Sequence, residues 1–170
     1  GALTWMALEW KTRSKPSVLG LISGAVAGLG TITPASGYVL PWHGAVIGVL
    51  AGLVCYWACT ALKQRLRYDD SLDVFGVHGV GGVLGTLLAG VFATAALSAG
   101  PDAPSGVAGL IEGNPMQLVW QALGVGVTLL WSGLATYVLL KLVGVLVELR
   151  VKPEAELIGL DITLHGEAVQ

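Results

Sequence analysis

The stretch Asp69-Asp70-Ser71-Leu72-Asp73-Val74-Phe75-Gly76-Val77-His78-Gly79-Val80-Gly81-Gly82-Val83-Leu84-Gly85 decides how the chain folds. Three carboxylates give way to an apolar, glycine-rich run that continues to about Leu97. Such a run is long enough to cross a bilayer, whose core takes about 20 apolar residues in helical form. The acidic residues suit the N-terminus of that helix, where carboxylates satisfy free N–H groups and complement the helix dipole.

The rest of the 170-residue chain agrees. Apolar residues make up 54%, there are 25 glycines, and charged residues are only 12%. That charged share is roughly half of what a soluble domain carries. Mean hydropathy is +0.75 and the net charge is −2. These values exclude a soluble enzyme, a disordered tail and a nucleic-acid binder, which would need a basic surplus. No CxxC, His-rich tract or Gly-Lys-Ser phosphate loop is present, so no metal or cofactor is expected. Cys55 and Cys59, four apart in an apolar run, read as packing residues. The reading is an all-α, polytopic membrane protein.

Four full spans are expected, over Ser17–Thr33, His43–Leu62, Ser71–Leu97 and Gln117–Leu149. Ahead of them, Gly1 to Trp10 are mostly apolar but too few to span; they read as the last half of a transmembrane helix, and the chain as the C-terminal part of a longer protein. The last span, at roughly 50 Å, exceeds the bilayer core and must tilt or project. All 9 basic residues fall into three groups: Lys11, Arg13 and Lys15; Lys63, Arg65 and Arg67; Lys141, Arg150 and Lys152. Alternating spans put the three groups on one face, and the opposite loops, Thr33–Trp42 and Ser98–Met116, hold none. The positive-inside rule places the basic face and the C-terminus in the cytoplasm. A transmembrane domain over 1–149 and a cytoplasmic tail over 150–170 follow.

His78 is the one ionisable side chain deep in the full spans, since Lys141 can snorkel to the interface. Such a residue is costly in a membrane and points to function. Helical spacing puts Ser71, Val74, Phe75, Gly81, Gly82, Gly85 and Ala89 on its face. Small residues there allow a neighbouring helix close in or leave open space beside the ring. Two readings stand: a buried imidazole bonded to a neighbouring backbone carbonyl, or a pore-lining, proton-handling group. Asp73 reads as a structural hydrogen-bonding residue at the helix N-terminus, and His43 as a wet interfacial residue.

The run from Asp73 to Gly82 resembles the second-half signature of the ammonium transporter family. Lys15-Pro16-Ser17, Ser23-Gly24-Ala25-Val26-Ala27-Gly28-Leu29 and Thr31-Ile32-Thr33-Pro34-Ala35-Ser36-Gly37-Tyr38 support the resemblance. So does the tail, with Gly159-Leu160-Asp161 and His165-Gly166-Glu167. Together these cover essentially the whole chain. The resemblance implies an eleven-helix subunit of two inverted five-helix repeats plus a long last helix, assembled as a homotrimer in the plasma or inner membrane. This chain would supply the end of helix seven through helix eleven. His78 would be the second of two paired pore histidines, with Val74 one turn below it and Val26 also lining the pore. Asp161, Gly166 and Glu167 would belong to a regulatory tail that borders a docking site for a PII-type signal protein. The end departs from the family pattern, with Val169 standing where an aromatic is usual. Transport of ammonium or ammonia is the expected function. An ammonium sensor on the same scaffold without significant flux is the alternative, and a fragment with only a structural role is a third.

Overall fold

The computed structural model describes residues 1–101 and 104–167; Asp102, Ala103, Ala168, Val169 and Gln170 lie outside them. Every regular element among the described residues is helical. Four helices are long and apolar enough to cross a membrane: Val18–Ala35, Pro41–Leu66, Phe75–Phe92 and Pro115–Leu146. The expected spans are therefore present, with shifted ends. The chain divides into two compact units, Gly1–Gly126 and Val127–Gln170.

In the first unit, α1 (Ala2–Arg13) packs on α2 (Val18–Ile32) and α3 (Pro41–Trp57). The Ser17 hydroxyl caps α2 by accepting from the Gly20 N–H at 2.9 Å. Pro at the first position starts α3. Ahead of it the Leu40 N–H donates to His43 Nδ1 at 3.2 Å. His43 is thus buried, 4% exposed, with its ring between Trp42 and Phe92. The expectation of a wet interfacial histidine is corrected: the ring caps its own helix. A π-helical turn, Ala58–Leu62, and α4 (Lys63–Leu66) prolong α3 without a break. A second π turn, Phe75–Val80, leads into α5 (Gly81–Phe92).

The buried stripe of α2 is Gly20, Gly24, Ala27 and Thr31. That of α5 is Gly81, Gly85, Ala89 and Gly90. Between helices in lipid the hydrophobic effect gives little, so contact comes from close backbone approach over small side chains. Gly85 shows the tightest case: a Cβ there would fall 2.0 Å from the Thr31 carbonyl oxygen. Trp5, Ala27, Cys55, Cys59 and Val77 form one apolar cluster, and Ala35, Ile47 and Ala89 another.

The span expected over Ser71–Leu97 stops at Phe92, five residues short of Leu97. Ala93 and Thr94 turn extended, and the Thr94 N–H donates to the Tyr38 carbonyl. A short α6 (Ala95–Ser98) follows, held by the Glu112 carboxylate, which accepts from the Ala95 N–H. A 3₁₀ turn, Leu110–Glu112, then leads to α7 (Pro115–Leu146), whose early residues Leu118 and Gln121 lie against Gly90.

In the second unit, α7 runs on to Leu146 rather than Leu149. After an irregular stretch come α8 (Pro153–Ile158) and a π turn, Asp161–His165. Lys141 stays at the surface, its ammonium 5.6 Å from the centre of the Tyr137 ring.

Candidate pore-lining site

His78 sits within the π turn Phe75–Val80, on the surface of the first unit. A π turn is wider than an α turn and recurs at functional sites. Here it alters the face expected from α spacing. Gly81 and Gly85 turn inward against α2 and Ala89 packs with Ala35 and Ile47, whereas His78, Val74 and Phe75 stay exposed. Gly82 has open space where a side chain would stand. The face shared by His78 therefore loses Gly81, Gly85 and Ala89, because those glycines and that alanine serve helix contact.

On α2, Val26 is exposed, and Gly30 one turn on lies beside His78. A Cβ at Gly30 would lie 3.9 Å from His78 Nδ1. Val26, Val74 and His78 thus stand on open surface of two packed helices, with Gly30 clearing room for the ring. Among the described residues the His78 imidazole has no hydrogen-bond partner.

Behind this face the backbone is held from several sides. The Asp70 carboxylate accepts from the Val74 N–H at 2.9 Å and the Phe75 N–H at 2.8 Å. It is Asp70, not Asp73, that caps the helix through its side chain. Asp73 adopts φ 55, a left-handed backbone uncommon outside glycine. Its carboxylate pairs with Lys63 at 2.7 Å. The Cys59 thiol faces the Asp73 carbonyl and the Cys55 thiol the Val77 carbonyl, both at 4.0 Å, weak bonds of a packing kind. Gly76 is needed beneath: a Cβ there would come within 2.4 Å of Cys59 Sγ.

Glu9 was not singled out from the sequence, yet it is 3% exposed. Its carboxylate accepts from the Ser17 N–H at 2.8 Å and from the Ser17 hydroxyl at 3.0 Å, with Arg13 at 3.7 Å. It thereby ties α1 to the start of α2. Glu9, Arg13, Ser17, Cys59 and Asp73 line one small cavity. The signal for Glu9 was its position eight residues before a capping serine, which no local pattern marks. Nearby, burial and then the Asp70 charge push the Tyr68 phenol above its ordinary value.

In the second unit Asp161 opens the last π turn and Gly166 closes it at φ 67. The Glu167 N–H donates to the Asp161 carbonyl at 3.0 Å, so the three expected tail residues form one exposed turn closure.

A polytopic helical membrane protein is the class these elements define. The family model "Ammonium Transporter Family" matches residues 1–170. The chain belongs to the ammonium transporter family, a family of transporters and not of enzymes. It is 42% identical to the ammonium transporter of Bacillus subtilis (strain 168) over 169 residues, covering 98% of this chain and 40% of that protein. The crystal structure of Saccharomyces cerevisiae Mep2 superposes with TM-score 0.79 at 37% identity, over 91% of this chain and 35% of that one. A structure described as a sensor Amt protein gives TM-score 0.79 at 32% identity, over 96% of this chain and 38% of that one. The chain thus spans about 40% of the length of the curated relatives it matches.

Proposed function

We propose that this chain forms one wall of a transmembrane path for ammonium or ammonia, with His78, Val74 and Val26 lining it. The observation that carries the reading is the open face of α2 and the π turn. There an imidazole without a hydrogen-bond partner among the described residues stands beside Gly30, and Val26 and Val74 are exposed on the same two elements. Stripping water from an ammonium ion in an apolar passage costs many kcal/mol, whereas neutral ammonia is far cheaper to move. An uncharged imidazole can accept from or donate to ammonia and hold it in line, and a second ring opposite would let a proton travel separately. A potassium ion has no proton to shed and is excluded.

The wider assembly belongs to the same proposal. It has an eleven-helix subunit in a homotrimer embedded in the plasma or inner membrane. The basic face is cytoplasmic, with a membrane domain over 1–149 and a tail over 150–170. The tail turn of Asp161, Gly166 and Glu167 is the place for regulation, including contact with a PII-type protein. Likeness to a sensor Amt protein favours keeping a second reading, ammonium sensing without significant flux. Flux through the full-length protein in proteoliposomes separates the two. Transport predicts saturable ammonium flux that excludes potassium and falls about tenfold or more in His78→Ala. Absent flux with intact ammonium binding supports sensing. Unchanged flux and potassium exclusion in His78→Ala overturn the pore role.

A further inference from the structure

By sequence alone Lys63 is a topology marker, one of three basic residues following the His43–Leu62 span. In the structure its ammonium does something more specific. It donates to the Asp73 carboxylate at 2.7 Å and to the Asp70 backbone carbonyl. Both lie on the segment that enters the π turn carrying His78. Lys63 and Asp73 are each about one-third exposed, so the pair is partly shielded from water.

The held segment is one that would not hold itself. Asp73 has φ 55, a conformation that costs a non-glycine residue and persists where the surroundings over-determine it. Directly after it the helix starts with a π turn, a winding that is rare and occurs mostly as single turns. The first N–H groups of that helix depend on the Asp70 carboxylate. Lys63 grips the two residues that set this geometry: Asp70 through its carbonyl and Asp73 through its side chain. Lys63 itself is anchored, because α4 continues α3 through the Ala58–Leu62 turn, whose Cys59 packs against Gly76.

We infer that Lys63 is a positioning residue for the transport path. Clamped to Asp70 and Asp73, it sets the height and rotation of the π turn, and so the placement of Val74 and His78. Among the described residues its hydrogen bonds go to Asp70 and Asp73 and to neither of these. The inference rests on the pore reading of His78. A displaced ring would be a poor relay even with the path still open, since misplacement on the ångström scale can cost orders of magnitude in rate.

The test uses the full-length protein in proteoliposomes, with ammonium as the probe, alongside hydrogen exchange of the same preparations. Lys63→Met should lower maximal flux about tenfold while shifting the half-saturating ammonium concentration by less than about twofold, the pattern of lost positioning rather than lost binding. Exchange at the Val74, Phe75 and Val77 amides should speed up by about tenfold, while the α2 amides stay as they were. Asp73→Asn tolerates the left-handed backbone and removes only the charge, so it reads the same clamp where Lys63→Met does not reach the membrane. Its flux should fall in the same direction. The double variant should be no worse than the more affected single one, because both remove one interaction. Wild-type flux and exchange in both single variants overturn the clamp, and so does a double variant whose loss is the product of the two. His78→Ala run in parallel separates the failures. Unaltered flux there overturns the pore reading and the positioning role with it. Reduced flux there beside unaffected Lys63→Met and Asp73→Asn overturns the clamp alone.

Discussion

The spans that carry α5 and α7 have similar mean hydropathy, 1.6 and 1.8, and both are sprinkled with glycine. Yet a third of the Phe75–Phe92 window is buried inside the molecule and none of the Pro115–Leu146 window is. The glycines make the contrast concrete. At Gly85 a Cβ would collide with the Thr31 backbone, while at Gly124, Gly126 and Gly133 it would meet nothing within 4 Å. Apolar character therefore says that a helix belongs in the membrane, not what it faces there. A glycine is a contact residue only where a partner backbone is at hand; elsewhere it is a weak spot in the helix.

Three substitutions test this contrast, in order of expected effect. Gly85→Leu puts a side chain into the Thr31 backbone and should cost about 3 kcal/mol, read as loss of thermal stability of the full-length protein in detergent. A variant as stable as wild type would mean that α2 and α5 are not packed as described. Asp70→Ala removes the acceptor for the Val74 and Phe75 amides and should cost about 1–2 kcal/mol, with exchange faster at those two amides first. If Val74 and Phe75 kept their protection, the cap would lie elsewhere. Gly133→Ala adds a methyl on the open side of α7 and should leave stability the same or raise it by up to about 1 kcal/mol, since alanine is the better helix former. A loss comparable to that of Gly85→Leu would reveal a partner surface covering this part of α7.

The extent of legibility varied by residue. The four spans could be read because twenty-residue apolar runs are a local property, and because the basic groups alternate with them. The signature from Asp73 to Gly82 carried the family. His78 stood out because an ionisable residue in an apolar run is rare. The face around it was not legible, since α spacing assumes an unbroken α-helix and the Phe75–Val80 stretch is wound as a π turn. The three aspartates looked alike as a capping group, yet Asp70 holds two N–H groups and Asp73 holds Lys63. His43 looked exposed because it begins a span, but its neighbour Trp42 and Phe92, at the end of α5, close over its ring.

What the sequence by itself determined is the set of properties that depend on a residue and its near neighbours: membrane class, number of spans, family, and the candidate histidine. Only the tertiary structure decided which small residues carry the packing, that Glu9 is buried against Ser17, and that Lys63 reaches the turn ahead of His78. Glu9 and Ser17 are eight residues apart, and Lys63 and Asp73 ten. In each case the partners sit on separate elements, and nothing in a local pattern states how two helices will be set against each other. That is fixed by backbone approach over glycine and alanine.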